Sequence, residues 1–76
     1  MSSPKARVIE AVRVIPDIDG ITQEFNYLVP EDWNISGESK FLQVGAIVRI
    51  QFRNRIVRGW VSEVNPMDKP NVELIP

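Results

Sequence analysis

The stretch that decides the fold is AIVRIQFRNRIVRGWVSEV, residues 46–64. Apolar and polar side chains alternate on both sides of Arg53-Asn54, and a period of two is typical of β-strands. We therefore predict a β-hairpin with strands over 46–52 and 55–64 that turns at Arg53 and Asn54.

A two-residue turn fixes which residues oppose one another across this hairpin. Ile50 then faces Val57, and Val48 faces Gly59. One face therefore carries only apolar or small side chains and is predicted to point inward.

The opposite face of the hairpin sets Arg49 against Arg58 and Ile47 against Trp60. Like charges directly opposite one another destabilise a sheet, so the arginine pair needs an acidic neighbour or an anionic ligand. Trp60 could offer a stacking surface to a base. Its alternative role is that of a core residue or one covered by a loop.

Aromatic residues precede the hairpin in the run Phe25-Asn26-Tyr27. Small closed barrels fill their interiors with such residues, so Phe25 and Tyr27 have a core role as the alternative to a binding role. Since an inward glycine leaves space for a bulky neighbour, we expect one of the two rings to lie beside Gly59.

The rest of the chain reads mostly as strands and turns. We predict strands over residues 7–15 and 23–29, a loop with room for one helical turn over 31–40, and the start of a further element at 72–75. Turn residues in 16–20 and Pro30 end the first two strands.

Composition excludes several classes of function. The 76 residues make one small domain, and the chain has no cysteine and no histidine. Disulfides, thiolate or imidazole metal sites and catalysis by Cys or His are therefore excluded, and no cofactor is expected. Acidic residues are scattered among turns, which argues against an enzyme. No apolar run could span a bilayer or act as a signal peptide, so we expect a cytoplasmic protein without a membrane partner.

Positive charge is concentrated in one segment. The net charge is −1, but residues 1–48 sum to −3, residues 49–62 to +4 and residues 63–76 to −2. The excess comes from Arg49, Arg53, Arg55 and Arg58. Such a patch suits phosphate or another anionic surface. Charged residues on an edge strand also discourage aggregation, so charge alone leaves both readings open.

Two blocks together resemble the N-terminal DNA-binding domain of the primosomal protein N′ (PriA) family of replication-restart helicases. They are Phe25-Asn26-Tyr27-Leu28-Val29-Pro30 and Leu42-x-x-Gly45-x-x-Val48-x-Ile50-x-Phe52, the second turning at Arg53-Asn54 and returning through Gly59-x-Val61. The resemblance covers residues 6–64. It implies a mostly β fold, a small barrel similar to a circularly permuted OB-fold with a central hairpin.

The resemblance also implies a site. In that family the domain recognises the 3′ end of the nascent leading strand at a stalled fork, in a cleft that holds a Phe, an acid, a Gly and a basic residue. The Phe corresponds to Phe25, whereas Asn26 replaces the acid and Arg53 the Gly; Lys69 is the nearest basic residue. The predicted DNA-binding set is Phe25, Asn26, Arg49, Arg53, Asn54, Arg55, Arg58, Trp60 and Lys69.

By this resemblance, residues 1–76 are a single N-terminal DNA-binding domain excised from a larger helicase-like protein. Forked or 3′-ended DNA is the expected partner, with other primosome or single-strand-binding proteins as further candidates. The chain has no GxxxxGK[ST] phosphate loop, so ATPase activity would belong to another part. The alternative is a small β-barrel adaptor that docks a protein through Trp60, Ile47 and Ile56, ringed by arginine.

Overall fold

The structure is a computed structural model that describes residues 8–68, 70 and 72–76. Its elements are β1 (Ala11–Pro16), β2 (Phe25–Leu28), α1 (Glu31–Ser36), a 3-10 helix (Glu38–Phe41), β3 (Ile47–Phe52) and β4 (Arg55–Val64). The four strands form one antiparallel sheet in the order β2-β1-β4-β3. The predicted mostly β fold is confirmed, although β1 and β2 are shorter than the predicted strands.

The predicted hairpin is present with the predicted register. Val48 pairs with Gly59 and Arg49 with Arg58, and the strands turn at Arg53 and Asn54, whose φ angles are 50° and 64°. Two successive left-handed residues give the turn a twist that matches the twist of the flanking strands. The inward residues Val48, Ile50, Gly59 and Val61 are buried, whereas Phe52 and Val57, near the turn, are only half-buried.

Residues 72–75 close the sheet into a small barrel. They lie between β2 and β3, the two edge strands, and form bridges from Glu73 to Leu28 and from Ile75 to Arg49. The amide of Leu28 donates to the carbonyl of Val72 over 2.7 Å. The further element predicted at this position therefore fills the gap between two edges that would otherwise be unpaired.

The core lies inside this barrel. It is formed by Ile9, Val12, Val14, Tyr27, Val29, Leu42, Val48, Ile50, Val61 and Leu74. Tyr27 is 5% exposed, and its hydroxyl donates to the carbonyl of Gln51 over 3.3 Å. Burial raises the pKa of the Tyr27 phenol.

The expectation that an aromatic ring lies beside Gly59 is wrong. A Cβ atom at Gly59 would lie 2.4 Å from Cγ1 of Val14 and 2.9 Å from the carbonyl oxygen of Ile15. Because Gly59 pairs with Pro16 of β1 as well as with β3, the neighbouring strand itself occupies the space. The glycine is needed for the close approach of two strands in one sheet.

The segment over residues 31–40, predicted as a loop with room for one helical turn, contains α1 and most of the 3-10 helix. Asn34 attaches α1 to the chain just before β1, since its side-chain oxygen accepts from the amide of Ile9 at 3.1 Å and its side-chain nitrogen donates to the carbonyl of Ile9 at 3.0 Å. Trp33 packs against the core. Within the described residues, neither helix is long and apolar enough to cross a membrane.

Candidate nucleic-acid interface

The four hairpin arginines divide into two pairs. Strand alternation places Arg49 and Arg58 on the outer face of the sheet, where they are direct partners, as predicted. Arg53 occupies the turn, and Arg55, which pairs with Phe52, begins β4 beside it. The positive segment of the sequence is therefore not one patch but an outer pair and a turn pair.

The outer pair is engaged within the chain. Arg58 lies 3.5 Å from the carboxylate of Asp17, and Arg49 donates to the carbonyl of Pro76. The acidic neighbour that the two opposed arginines need is thus present, so their repulsion does not by itself require a ligand. Exposed ion pairs of this kind contribute little to stability.

Apolar side chains extend the outer face on both sides of this pair. Trp60 is 40% exposed and lies between Ile15 and Ile47, its partners on β1 and β3. Ile47 is 64% exposed and also lines a groove of about 370 Å³ together with Phe41 and Arg49. Part of the Trp60 side chain is therefore accessible at the surface, as both the base-stacking hypothesis and the protein-adaptor hypothesis require.

Aromatic residues meet at the end of the barrel near the hairpin turn. The rings of Phe25 and Phe52 are 5.2 Å apart and tilted by 59°. Cζ of Arg53 lies 5.1 Å from the centre of the Phe52 ring, which is the geometry of a cation–π contact. Since β2 and β3 are opposite edges of the sheet, it is the curl of the barrel that joins Phe25 to Phe52 and Arg53.

Phe52 was not among the predicted site residues. The signal for it was present, because strand alternation gives Phe52 the inward parity at the last position before the turn. A side chain of inward parity at a strand end lies at the mouth of a barrel, where it is half-buried.

Asn26 lies on the other face of β2. Its side-chain oxygen accepts from Nε of Arg13 at 3.1 Å, and its side-chain nitrogen donates to the carbonyl of Asp68 at 3.0 Å. Arg13 also makes an ion pair of 2.7 Å with Glu63. The structure therefore does not bring Asn26 into the cluster of Phe25 and Phe52. No sequence pattern predicted the contact of Asn26 with Arg13.

The two other predicted site residues are Asn54 and Lys69. Asn54 is exposed at the second position of the hairpin turn. Lys69 lies outside the described residues, so its place relative to the barrel is not part of the site geometry.

A small pocket of about 180 Å³ opens beside the hairpin turn, against the loop between β1 and β2. Its lining consists of half-buried apolar side chains and exposed charged ones. The apolar side chains are those of Ile18, Ile21, Phe52 and Val57. The charged side chains are those of Asp19, Arg53 and Arg55. Within the described part of the chain, none of these three charged side chains makes an ion pair. The pocket thus has an apolar floor and a charged rim, the arrangement typical of a small-ligand site.

A scan against protein families matches residues 13–74 to the 3′ DNA-binding domain (3′BD) of PriA. The chain belongs to this family. No curated protein and no solved structure gives a significant match. Membership makes this 3′BD chain a DNA-binding domain rather than a catalytic one, in agreement with the resemblance read from the sequence.

Proposed function

We propose that this domain binds the 3′ end of a DNA strand at the end of the barrel that carries Phe25, Phe52, Arg53 and Arg55. One observation carries the proposal: in a domain of the 3′BD family, an aromatic pair lies beside two arginines without a carboxylate partner among the described residues. Guanidinium groups bind phosphate oxygens in a bidentate manner, and aromatic rings stack on bases.

The backbone at Arg53 supports a binding role. Its φ of 50° is a left-handed conformation that favours Gly or Asn and costs an arginine about 1 kcal/mol. Strained residues of this kind cluster at binding sites, where the strain holds a side chain in place. The strained turn keeps the Arg53 guanidinium against Phe52, at the edge of the small pocket.

The remaining predicted residues belong to a wider contact surface in this proposal. Arg49, Arg58 and Trp60 would meet the DNA beyond its terminus, Asn54 would meet it at the turn, and Asn26 would contribute from the far side of β2. Lys69 would add a further basic contact. The biological setting that we propose is the restart of stalled replication, at a branched or forked DNA and in the cytoplasm. The domain would act there within a helicase-like protein, alongside primosome or single-strand-binding partners.

Two double variants test the proposal, because each removes two positive charges from the same hairpin. We expect Arg53→Ala with Arg55→Ala to lose most affinity for a fork with a free 3′ end in fluorescence anisotropy. The slope of log affinity against log salt should fall by about 1.4 to 1.8, since each phosphate contact contributes about 0.7 on single strands and 0.9 on duplex DNA.

The matched control is Arg49→Ala with Arg58→Ala, which should weaken binding less because both side chains already have partners in the chain. If the turn variant binds as tightly as the parent, the end of the barrel is not the DNA surface. If instead the outer variant loses more affinity, DNA binds on the outer face.

The exposed apolar side chains favour a second candidate function, a protein-docking surface. Ile47 and Ile56 are 64% and 62% exposed and lie on the same face as Trp60. A partner held there by apolar contacts would bind with little dependence on salt, whereas DNA binding weakens steeply as salt rises. A partner that loses affinity on Trp60→Ala, but not on Arg53→Ala, would assign this face to protein.

A further inference from the structure

A groove, the β4 groove, opens at the end of the barrel opposite the hairpin turn, between the last residues of β4 and the 3-10 helix. Its volume of about 720 Å³ lies within the roughly 300–1,000 Å³ of ligand sites. Ile9 and Leu42 are buried in its lining, whereas Val8 and Val44 line it with side chains that are 60% and 68% exposed. Apolar side chains left open to water around a concave surface mark an interaction site.

One wall of the β4 groove is a strand edge without a partner. β3 pairs with β4 only as far as Trp60. The chain just before β3 bonds to Val61, whose amide donates to the carbonyl of Ala46 over 2.9 Å and whose carbonyl accepts from the amide of Gly45 over 2.8 Å. Beyond that point, in the part of the chain that the structure describes, residues 62–64 pair only with β1, on their other side. Such an edge can accept a further strand.

The polar side chains on this stretch of β4 already have partners. The hydroxyl of Ser62 donates to the carboxylate of Glu24, and Glu63 forms its ion pair of 2.7 Å with Arg13. Residues 62–64 therefore offer the groove their backbone together with the half-buried side chain of Val64. A free strand edge recognises the amide backbone of an extended peptide, which a nucleic acid lacks.

Two charged side chains line the β4 groove, and only one of them is neutralised. Glu63 is balanced by Arg13. Lys40 makes no ion pair with any described residue; its Nζ lies 5.3 Å from the centre of the Phe41 ring, and this contact leaves the charge uncompensated. The groove is therefore complementary to a peptide that carries a carboxylate.

We propose that the β4 groove binds an extended peptide segment of a partner protein, which adds a strand beside residues 62–64 and places a carboxylate next to Lys40. Main-chain hydrogen bonds supply affinity in strand addition, and alternate side chains supply specificity. Three strand residues span about 10 Å, so the paired part of the peptide is short. The groove shares no lining residue with the pocket at the hairpin turn, so the inference does not depend on DNA binding.

Three fluorescein-labelled peptides test the proposal in fluorescence anisotropy with the 76-residue chain. The first is Thr-Val-Glu-Val-Thr-Val, the second has lysine in place of its glutamate, and the third is the first with alternate backbone nitrogens methylated, which prevents strand pairing. We expect saturable binding of the glutamate peptide and no saturable binding of the methylated one. The lysine peptide should bind at least about fivefold more weakly, the effect of one charge pair near 4 Å in water. Bound glutamate peptide should slow amide hydrogen exchange in residues 62–64.

Matched variants locate the peptide. Val44→Ser should weaken binding of the glutamate peptide severalfold, whereas Ile35→Ser, which removes an apolar side chain that is 79% exposed outside the groove, should not. Lys40→Ala should remove the preference for glutamate over lysine and leave fork binding unchanged, so this outcome is separate from that of the proposed function.

The inference fails if the glutamate peptide does not bind, if the methylated peptide binds equally well, or if Ile35→Ser weakens binding as much as Val44→Ser. It also fails if Lys40→Ala keeps the preference or if exchange slows only outside residues 62–64. Dimers of the chain that dissociate on Val44→Ser would show that a second copy occupies the groove, and would overturn the assignment to a partner peptide.

Discussion

Gly59 gives the sharpest test of the fold. In the variant Gly59→Ala, the new methyl carbon would lie 2.4 Å from Cγ1 of Val14, which is fully buried, and 2.9 Å from the carbonyl oxygen of Ile15. The first neighbour can move only into a filled core, and the second belongs to the backbone of β1. Since the φ of Gly59 is not positive, the conflict is steric and not conformational.

Two opposing terms set the size of the effect. Overpacking a core costs about 1–3 kcal/mol, whereas replacing glycine by alanine stabilises by about 0.4–1 kcal/mol through the unfolded chain. Because one of the two close contacts is with backbone, we expect the overpacking cost to be about 2–3 kcal/mol, which leaves a net loss of about 1–2.6 kcal/mol in the free energy of unfolding. In a domain of this size the melting temperature should fall by about 4–21 °C. Thermal and urea unfolding followed by circular dichroism measure both quantities.

A double-mutant cycle with Val14→Ala identifies the contact responsible. Removing Cγ1 relieves the shorter contact, so the two substitutions together should cost less than their sum by at least about 0.5 kcal/mol. An unchanged melting temperature in Gly59→Ala would refute the reasoning. Strict additivity in the cycle would show that Val14 is not the neighbour that matters.

Three further predictions concern other parts of the barrel. Because burial raises the pKa of Tyr27, the unfolded chain loses the phenol proton first, and the free energy of unfolding should decline as pH rises above the ordinary pKa of 10.0. The Tyr27→Phe variant lacks this proton, so the difference between its pH profile and that of the parent measures the contribution of Tyr27. Identical pH profiles would contradict the prediction. Arg53→Asn should raise the melting temperature by a few degrees, since asparagine tolerates a φ of 50°, and should weaken fork binding in the same preparation; a lower melting temperature would show that the turn is not strained. Leu74→Ala should lose about 2–5 kcal/mol, because Leu74 is 2% exposed in the segment that closes the barrel; a loss below 1 kcal/mol would mean that this segment does not seal the core.

The hairpin was predictable because its two constraints agree. A two-residue turn sets the pairing, and in that pairing Val48 and Ile50 fall on the same inward face. Such agreement between local pattern and turn length leaves one register. The family, and with it DNA binding, was also accessible from the sequence.

The parts that could not be predicted depend on contacts between distant residues. Six-residue α1 has no side-chain cap and is held by the pairing of Asn34 with Ile9, 25 positions away. The curl that joins Phe25 to Phe52, and the division of the arginines into two pairs, follow from closure of the sheet. The alternation of apolar and polar residues within one strand does not indicate whether the two edges of the sheet are closed by another segment.

The segment over residues 72–75 also bears on how the protein is made. Its two partners, β2 and β3, precede it in the chain, so both strand edges are synthesised before the residues that cover them. At about 5–20 residues per second, the ribosome needs roughly 1–4 s to proceed from Phe52 to Leu74. Until residues 72–75 pair with it, β3 is an open edge of the sheet, the kind of edge on which aggregation begins. Arg49 lies in that edge and Arg53 directly follows it, and charged residues in an edge strand discourage pairing with a neighbouring chain.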